Sequence, residues 1–291
     1  MRAPTHDGEL LGAGALRDPV AADALWDAYG PGAFAFCHRL LGDVGAAADA
    51  TQDAFLLAHA ERPGPGFGLA LLRAARTTSF ELLGGRARSV EPHVRGILSA
   101  AAARVRPQQR AALALAGLQG ISHAEIAAVL GIAREAVPAL LARARLRLHD
   151  EMHGTALAGA AVASPDCEDV LPLLAAAADG ELEPADAAWA DPHVARCSTC
   201  PRTIRAMRGA AATYAAWSPA ATPSWLRAAT LAEVGTREPP TMGAARRAAL
   251  PAALVGATLA TAASAALLVG GPRSLRPAEV SLGGAPARPG A

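Results

Sequence analysis

Apolar residues recur at helical spacing in three successive stretches near the start of the chain. Leu25, Tyr29, Phe36, Leu40 and Leu41 make one stripe, Ala54, Phe55 and Ala58 a second, and Leu71, Leu72 and Ala75 a third. Asp49, Gln52 and Asp53 share the polar side of the second stretch. The connectors are short and rich in Gly and Pro, as in GPGFG after Pro63 and EPHVRG ending at Gly96. A second helical block covers residues 98–152. Within it, Ser122 and Glu125 have capping-box spacing, and Ile126, Ala127 and Leu130 give the following helix an apolar face. Gly131 supplies a left-handed stop, and Val137, Leu140 and Leu141 start a new apolar stripe. Helix, short Gly turn and helix predict a helix-turn-helix. Residues 248–271 contain no charge and are long enough to span about 30 Å of hydrocarbon as a helix. Arg246 and Arg247 precede that run and Arg273 and Arg276 follow it, so flanking charge barely orients it.

Composition excludes several classes. The 291 residues are 52% hydrophobic but only 4% aromatic, which disfavours an all-β fold. The formal net charge is +1, so any nucleic-acid footprint must be local. It concentrates in the second block: seven Arg lie between Arg104 and His149, against Glu125 and Glu135 alone. All basic residues are Arg, a coding bias without functional meaning. The first residues lack the apolar core of a secretory signal, which predicts a reducing compartment for the N-terminal bulk.

In that compartment clustered Cys point to metal. His193, Cys197 and Cys200 stand at i, i+4 and i+7, and Cys167 lies upstream, completing a Cys₃His set suited to tetrahedral Zn²⁺. Four protein ligands leave no position for a catalytic water, and no general base stands in a motif beside them. The chain is therefore expected not to be an enzyme, with no catalytic residues. Thiolate ligands also permit a redox-responsive zinc, because oxidation would eject the ion. Cys37, among apolar helix residues, is expected to be a buried small side chain.

The order of these blocks resembles a bacterial sigma-70-type sigma factor of the extracytoplasmic-function group. Residues 25–60 are similar to its sigma-2 helices, residues 71–83 to the segment that opens the −10 element, and residues 105–132 to sigma-4, which reads the −35 element. The resemblance implies polymerase contacts from Asp49, Gln52, Asp53 and Phe55. It implies DNA contacts from Arg73, Arg76, Thr77, Arg86, Arg88, Arg134, Glu135, Arg143 and Arg145. This chain departs from the family in three places. Thr77 stands for a usual Asn, Gly84 and Gly85 interrupt the basic run, and Pro138 to Leu140 replace Lys-Ser-Arg. A sigma-4 domain that folds but grips DNA weakly is expected. Pro138 would also break a helix unless that helix starts late.

Residues 166–200, with the Asp-Gly-Glu-Leu turn at 179–182, resemble the zinc-binding anti-sigma domain, which inserts between sigma-2 and sigma-4. The expected fold class is all-α: two small sigma domains, a small zinc-binding helical domain and one transmembrane helix. The expected boundaries are 1–90 for sigma-2, 98–152 for sigma-4 and 166–218 for the zinc domain, with linkers at 91–97 and 153–165. A juxtamembrane segment at 219–247, the membrane helix at 248–271 and a tail at 272–291 complete the plan. The resemblance implies a single-pass membrane protein with cytoplasmic N-terminal domains, inhibited in cis. Its partners would be core RNA polymerase, promoter DNA, the membrane and a regulatory protease. The alternative is a degenerate sigma-like membrane regulator or anti-sigma factor without initiating activity.

Overall fold

A computed structural model describes residues 19–61, 66–85, 96–118, 120–217 and 220–234. Every regular element among them is a helix. The expected membrane run, 248–271, and the candidate residues Arg86 and Arg88 lie outside the described residues. Among the described residues, no helix is long and apolar enough to cross a membrane.

The first bundle is α1 (Pro19–Leu41), α2 (Val44–Ala60) and α3 (Phe67–Gly85). Asp43 starts α2 by accepting the Ala46 N–H at 2.8 Å. The second bundle is α4 (Ile97–Arg104), α5 (Pro107–Ala116), α6 (His123–Leu130) and α7 (Ala136–His153). The capping box forms as the sequence predicts, with the Ser122 side chain on the Glu125 N–H and the Glu125 carboxylate on the Ser122 N–H. Gly131 ends α6 with φ 68°, a left-handed position where a side chain would be strained. α7 starts only at Ala136, so Pro138 falls in its first turn, where no intrahelical donor is missed. Its effect on the helix is therefore mild.

Residues 153–165, expected as a plain linker, contain a further helical turn, α8 (Leu157–Ala160). The Asp150 carboxylate organises it by accepting the N–H groups of Leu157 and Ala158, both at 2.9 Å. The third bundle is α9 (Pro165–Asp179), α10 (Pro184–Arg196) and α11 (Cys200–Ala216). Each of these helices has Pro in its first turn, where a missing N–H costs nothing. α12 (Ser224–Val234) lies in the expected juxtamembrane segment but packs against α1 and α2.

Two apolar cores result, and two helices belong to both. α7 puts Val137, Leu141 and Leu148 into the first core and Ala142 and Leu146 into the second. α11 puts Ala210 and Tyr214 into the first and Ala206 and Met207 into the second. The helix-turn-helix is thus covered on two faces, one by its own bundle and one by α9 and α11. Cys37 is fully buried in the first core, where burial pushes its thiol up to about 11.

Candidate functional site

Cys167 lies in the first turn of α9 and His193 in the last turn of α10. Cys197 caps α10, and Cys200 opens α11. Their ligand atoms all lie within 4.8 Å of one another. Cys167 Sγ is 3.6 Å from both His193 Nε2 and Cys197 Sγ, and Cys200 Sγ is 3.3 Å from His193 Nε2. A tetrahedral Zn²⁺ with ordinary Zn–S and Zn–N bonds separates its ligands by about 3.5–3.8 Å, so the four residues fit the ion. The tight turn between α10 and α11 aims the N–H groups of Cys200 (3.5 Å) and Thr199 (3.4 Å) at Cys197 Sγ. These donors pull the Cys197 thiol down to about 6. Cys200 is pushed up to about 12, by burial first. A Zn²⁺ held there would tie α9, α10 and α11 together at the edge of their shared apolar core, as a structural zinc site does.

From this centre α9 runs to the turn Asp179–Glu181, which seats on the helix-turn-helix. Asp179 receives both terminal nitrogens of Arg145, one of them at 3.0 Å, and stands 3.0 Å from His123 Nε2. Glu181 accepts the His123 backbone N–H at 2.9 Å, a free donor at the start of α6, and lies 3.8 Å from Arg134. Burial alone would raise the Asp179 carboxyl. Hydrogen bonds from His123 and Arg145 outweigh it and hold the group below the usual carboxylate range. The other candidate groups of the helix-turn-helix are more open: Arg143 stands 3.9 Å from Glu168 with both side chains exposed, and Glu135 is exposed.

The candidate −10 residues on α3 also meet the helix-turn-helix. Arg73 Nε donates to the Ala128 carbonyl at 2.9 Å, and Arg76 Nη1 to the Leu130 carbonyl at 3.0 Å. Two cations thus cap the C-terminal end of α6, where its orphan carbonyls carry negative partial charge. Thr77 bonds back to the Arg73 carbonyl at 3.1 Å. Neither pairing was readable from periodicity, since the partners lie 55 and 54 residues apart.

The candidate polymerase-binding residues divide. Asp49 and Asp53 are exposed on α2. Gln52 is half-buried and donates to Glu233 of α12 at 2.8 Å. Phe55 is fully buried, with its ring 5.3 Å from Trp26 and 5.5 Å from Phe67. It packs the bundle rather than offering a surface contact. α12 is held further by Arg227, which pairs with Asp23 (2.8 Å) and Asp27 (3.1 Å) of α1, and by fully buried Leu226. Trp217 packs against Tyr214 and His38, whereas Trp225 is exposed.

Residues 95–148 match the family described as "Sigma-70, region 4", and residues 167–200 match the family described as "Putative zinc-finger". No characterised protein and no solved structure matches the chain. The chain is therefore similar to sigma-70 region 4 over the second bundle and to a putative zinc-finger over the four-ligand site.

Proposed function

We propose that this chain is a sigma factor held inactive in cis by its own zinc-dependent anti-sigma domain and tethered to the membrane by residues 248–271. The observation that carries the reading is the seat of the Asp179–Glu181 turn on Arg145, His123 and Arg134. Carboxylates there take the cationic and N–H groups with which such a domain would hold DNA phosphates. α12 lies on α1 and α2 beside the expected polymerase-docking face, and Arg73 and Arg76 are engaged on α6. Groups from the expected −35 and −10 surfaces are thus engaged within the chain, and α12 takes Gln52 at the edge of the expected docking face, where Asp49 and Asp53 remain exposed. The short joint through α8 keeps the inhibitor at an effective concentration on the order of millimolar, so modest contacts suffice.

Release would come from proteolysis near the membrane, from a conformational signal, or from oxidation of the zinc thiolates. Zinc content that is unchanged by peroxide would remove the oxidative route. The second reading, a degenerate sigma-like regulator, is favoured by Thr77, Pro138 and Leu140, which replace groups suited to DNA contact. Run-off transcription with core polymerase separates the two, comparing the full cytoplasmic part with residues 1–155. Activity in the shorter chain alone supports inhibition in cis. Inactivity of both supports the degenerate reading.

A further inference from the structure

Four arginines line a cavity of about 400 Å³ between the helix-turn-helix bundle and the α8–α9 segment. Arg104 ends α4 and Arg106 caps α5, so both come from one turn. Arg143 and Arg147 stand about one helical turn apart on α7. No carboxylate lines the cavity among the described residues. Arg104 (3.5 Å) and Arg147 (2.6 Å) share the single carboxylate of Glu151, and Arg143 lies 3.9 Å from Glu168. Arg106 has no ion pair among the described residues. Four cations are thus set against two carboxylates, which leaves positive charge over.

All four arginines are exposed, so their donors are open to a ligand in that space. The rest of the lining is largely apolar. Leu146 of α7 and Leu171 of α9 reach it from the second core, and Val162, 38% exposed after α8, adds a further apolar surface. Half-buried Gln109 also lines it, with an amide able to donate and accept. A guanidinium fork matches phosphate oxygens two at a time and stacks on planar rings. Four forks from two elements suit linked phosphates better than one anionic group, and the apolar lining suits a ring attached to them. The volume lies near the low end of the range of small-molecule sites, about 300–1,000 Å³, and a duplex is too broad to enter it.

We propose that this cavity binds a nucleoside diphosphate, with its phosphates on Arg104, Arg106, Arg143 and Arg147 and its base against Leu146, Val162 and Leu171. The site is complete only with the zinc domain seated, because the arginines belong to the second bundle and Val162 and Leu171 to the α8–α9 segment. A ligand that needs both sides binds the closed arrangement and stabilises it by mass action. Ligand and clasp then strengthen each other to the same extent. In transcription the ligand acts as a co-inhibitor. That consequence rests on inhibition in cis, whereas the binding itself does not.

The test is calorimetric titration of the full, zinc-loaded chain at fixed ionic strength, since exposed charges are screened by salt. ADP and GDP are compared with AMP and inorganic diphosphate. At least one of the two nucleoside diphosphates is expected to bind about tenfold or more tighter than AMP, which lacks a phosphate, and than inorganic diphosphate, which lacks a base. Arg106→Gln with Arg147→Gln removes two exposed cations and should weaken binding about 100-fold, whereas Arg205→Gln, exposed on α11, should leave it unchanged. Val162→Asp keeps all four arginines and should weaken binding too. At a ligand concentration about 100 times Kd, exchange of the His123 amide should slow about 100-fold, because only the closed arrangement binds. Binding that persists in the double variant, equal affinity for the nucleoside diphosphates and inorganic diphosphate, or no binding of any of the four would overturn the assignment. So would a DNA oligonucleotide that binds through these arginines while the nucleotides do not, since the groove would then be a nucleic-acid surface. Saturable binding with unchanged His123 exchange would overturn the coupling to the clasp. Binding is read without polymerase, so its failure is distinct from a failure of inhibition in cis in run-off transcription.

Discussion

Replacing Asp179 with alanine tests the clasp between the zinc domain and the helix-turn-helix. The substitution leaves the Arg145 guanidinium, 3% exposed, without its charged acceptor, and deprives His123, 6% exposed, of one of its two carboxylates. Removing one partner of a buried ion pair costs about 3–5 kcal/mol. Asp179 itself is 20% exposed, and Glu181 remains near His123, so the lower end applies, about 3 kcal/mol. At 1.4 kcal/mol per decade, the open fraction should rise about 100-fold. The His123 amide reports this directly. It is the first N–H of α6 and its acceptor is the Glu181 carboxylate, so its protection from hydrogen exchange depends on the seated turn. Native-state exchange should show that amide about 100-fold faster in Asp179→Ala, with zinc content unchanged, because Cys167 lies at the opposite end of α9. Unaltered exchange at His123 in a normally folded variant would refute the reasoning, since the turn would then be held by something other than these charges.

Chelation of zinc, or Cys200→Ser, should melt α9–α11 cooperatively while α1–α3 keep their helicity, as read by far-UV circular dichroism alongside zinc content. Leu226→Ala removes a fully buried side chain from the underside of α12, at about 2–5 kcal/mol, and should speed tryptic cleavage at Arg227. Asp179 and Asp150 both titrate below the ordinary carboxylate range in the folded chain. Their contribution is therefore complete above about pH 4, the unfolded value, and falls away as pH drops through the lower folded values. Unfolding midpoints should show no loss from these groups between about pH 5 and 8 and a decline below about pH 4. In residues 98–152, Pro138→Lys with Leu140→Arg should tighten binding to a −35 duplex at least tenfold in a gel-shift or anisotropy titration, with a steeper salt dependence. Equal affinity would show that these positions do not face DNA.

The features that were legible in advance rest on contacts between near neighbours in the chain. The capping box joins Ser122 to Glu125, and Gly131 stops α6 where an apolar stripe ends. His193, Cys197 and Cys200 converge because a helix end and one tight turn suffice to bring them together. Helical period and cap chemistry are local physics, so the sequence alone determined the all-helical class, the helix-turn-helix and the zinc set. The late start of α7, which makes Pro138 harmless, lay at the limit of that reasoning, because element ends follow weak signals.

Everything that closes the molecule is long-range. Gln52 meets Glu233, Arg227 meets Asp27, Arg73 caps α6 and Arg145 meets Asp179 across separations from 34 to 200 residues. Periodicity shows that a helix has an apolar face, but not which partner covers it. It placed Phe55 with its acidic neighbours, whereas packing against Trp26 and Phe67 put the ring inside. It likewise left α12 beside the expected membrane run, whereas burial of Leu226 seats it on α1 and α2. The buried pair Arg39 and Arg110 had no sequence signature at all, since each looks like any helix arginine until three bundles close around it. Local preference chose the elements. Only the competition among apolar faces for a shared interior decided which charges meet and which are left without a partner.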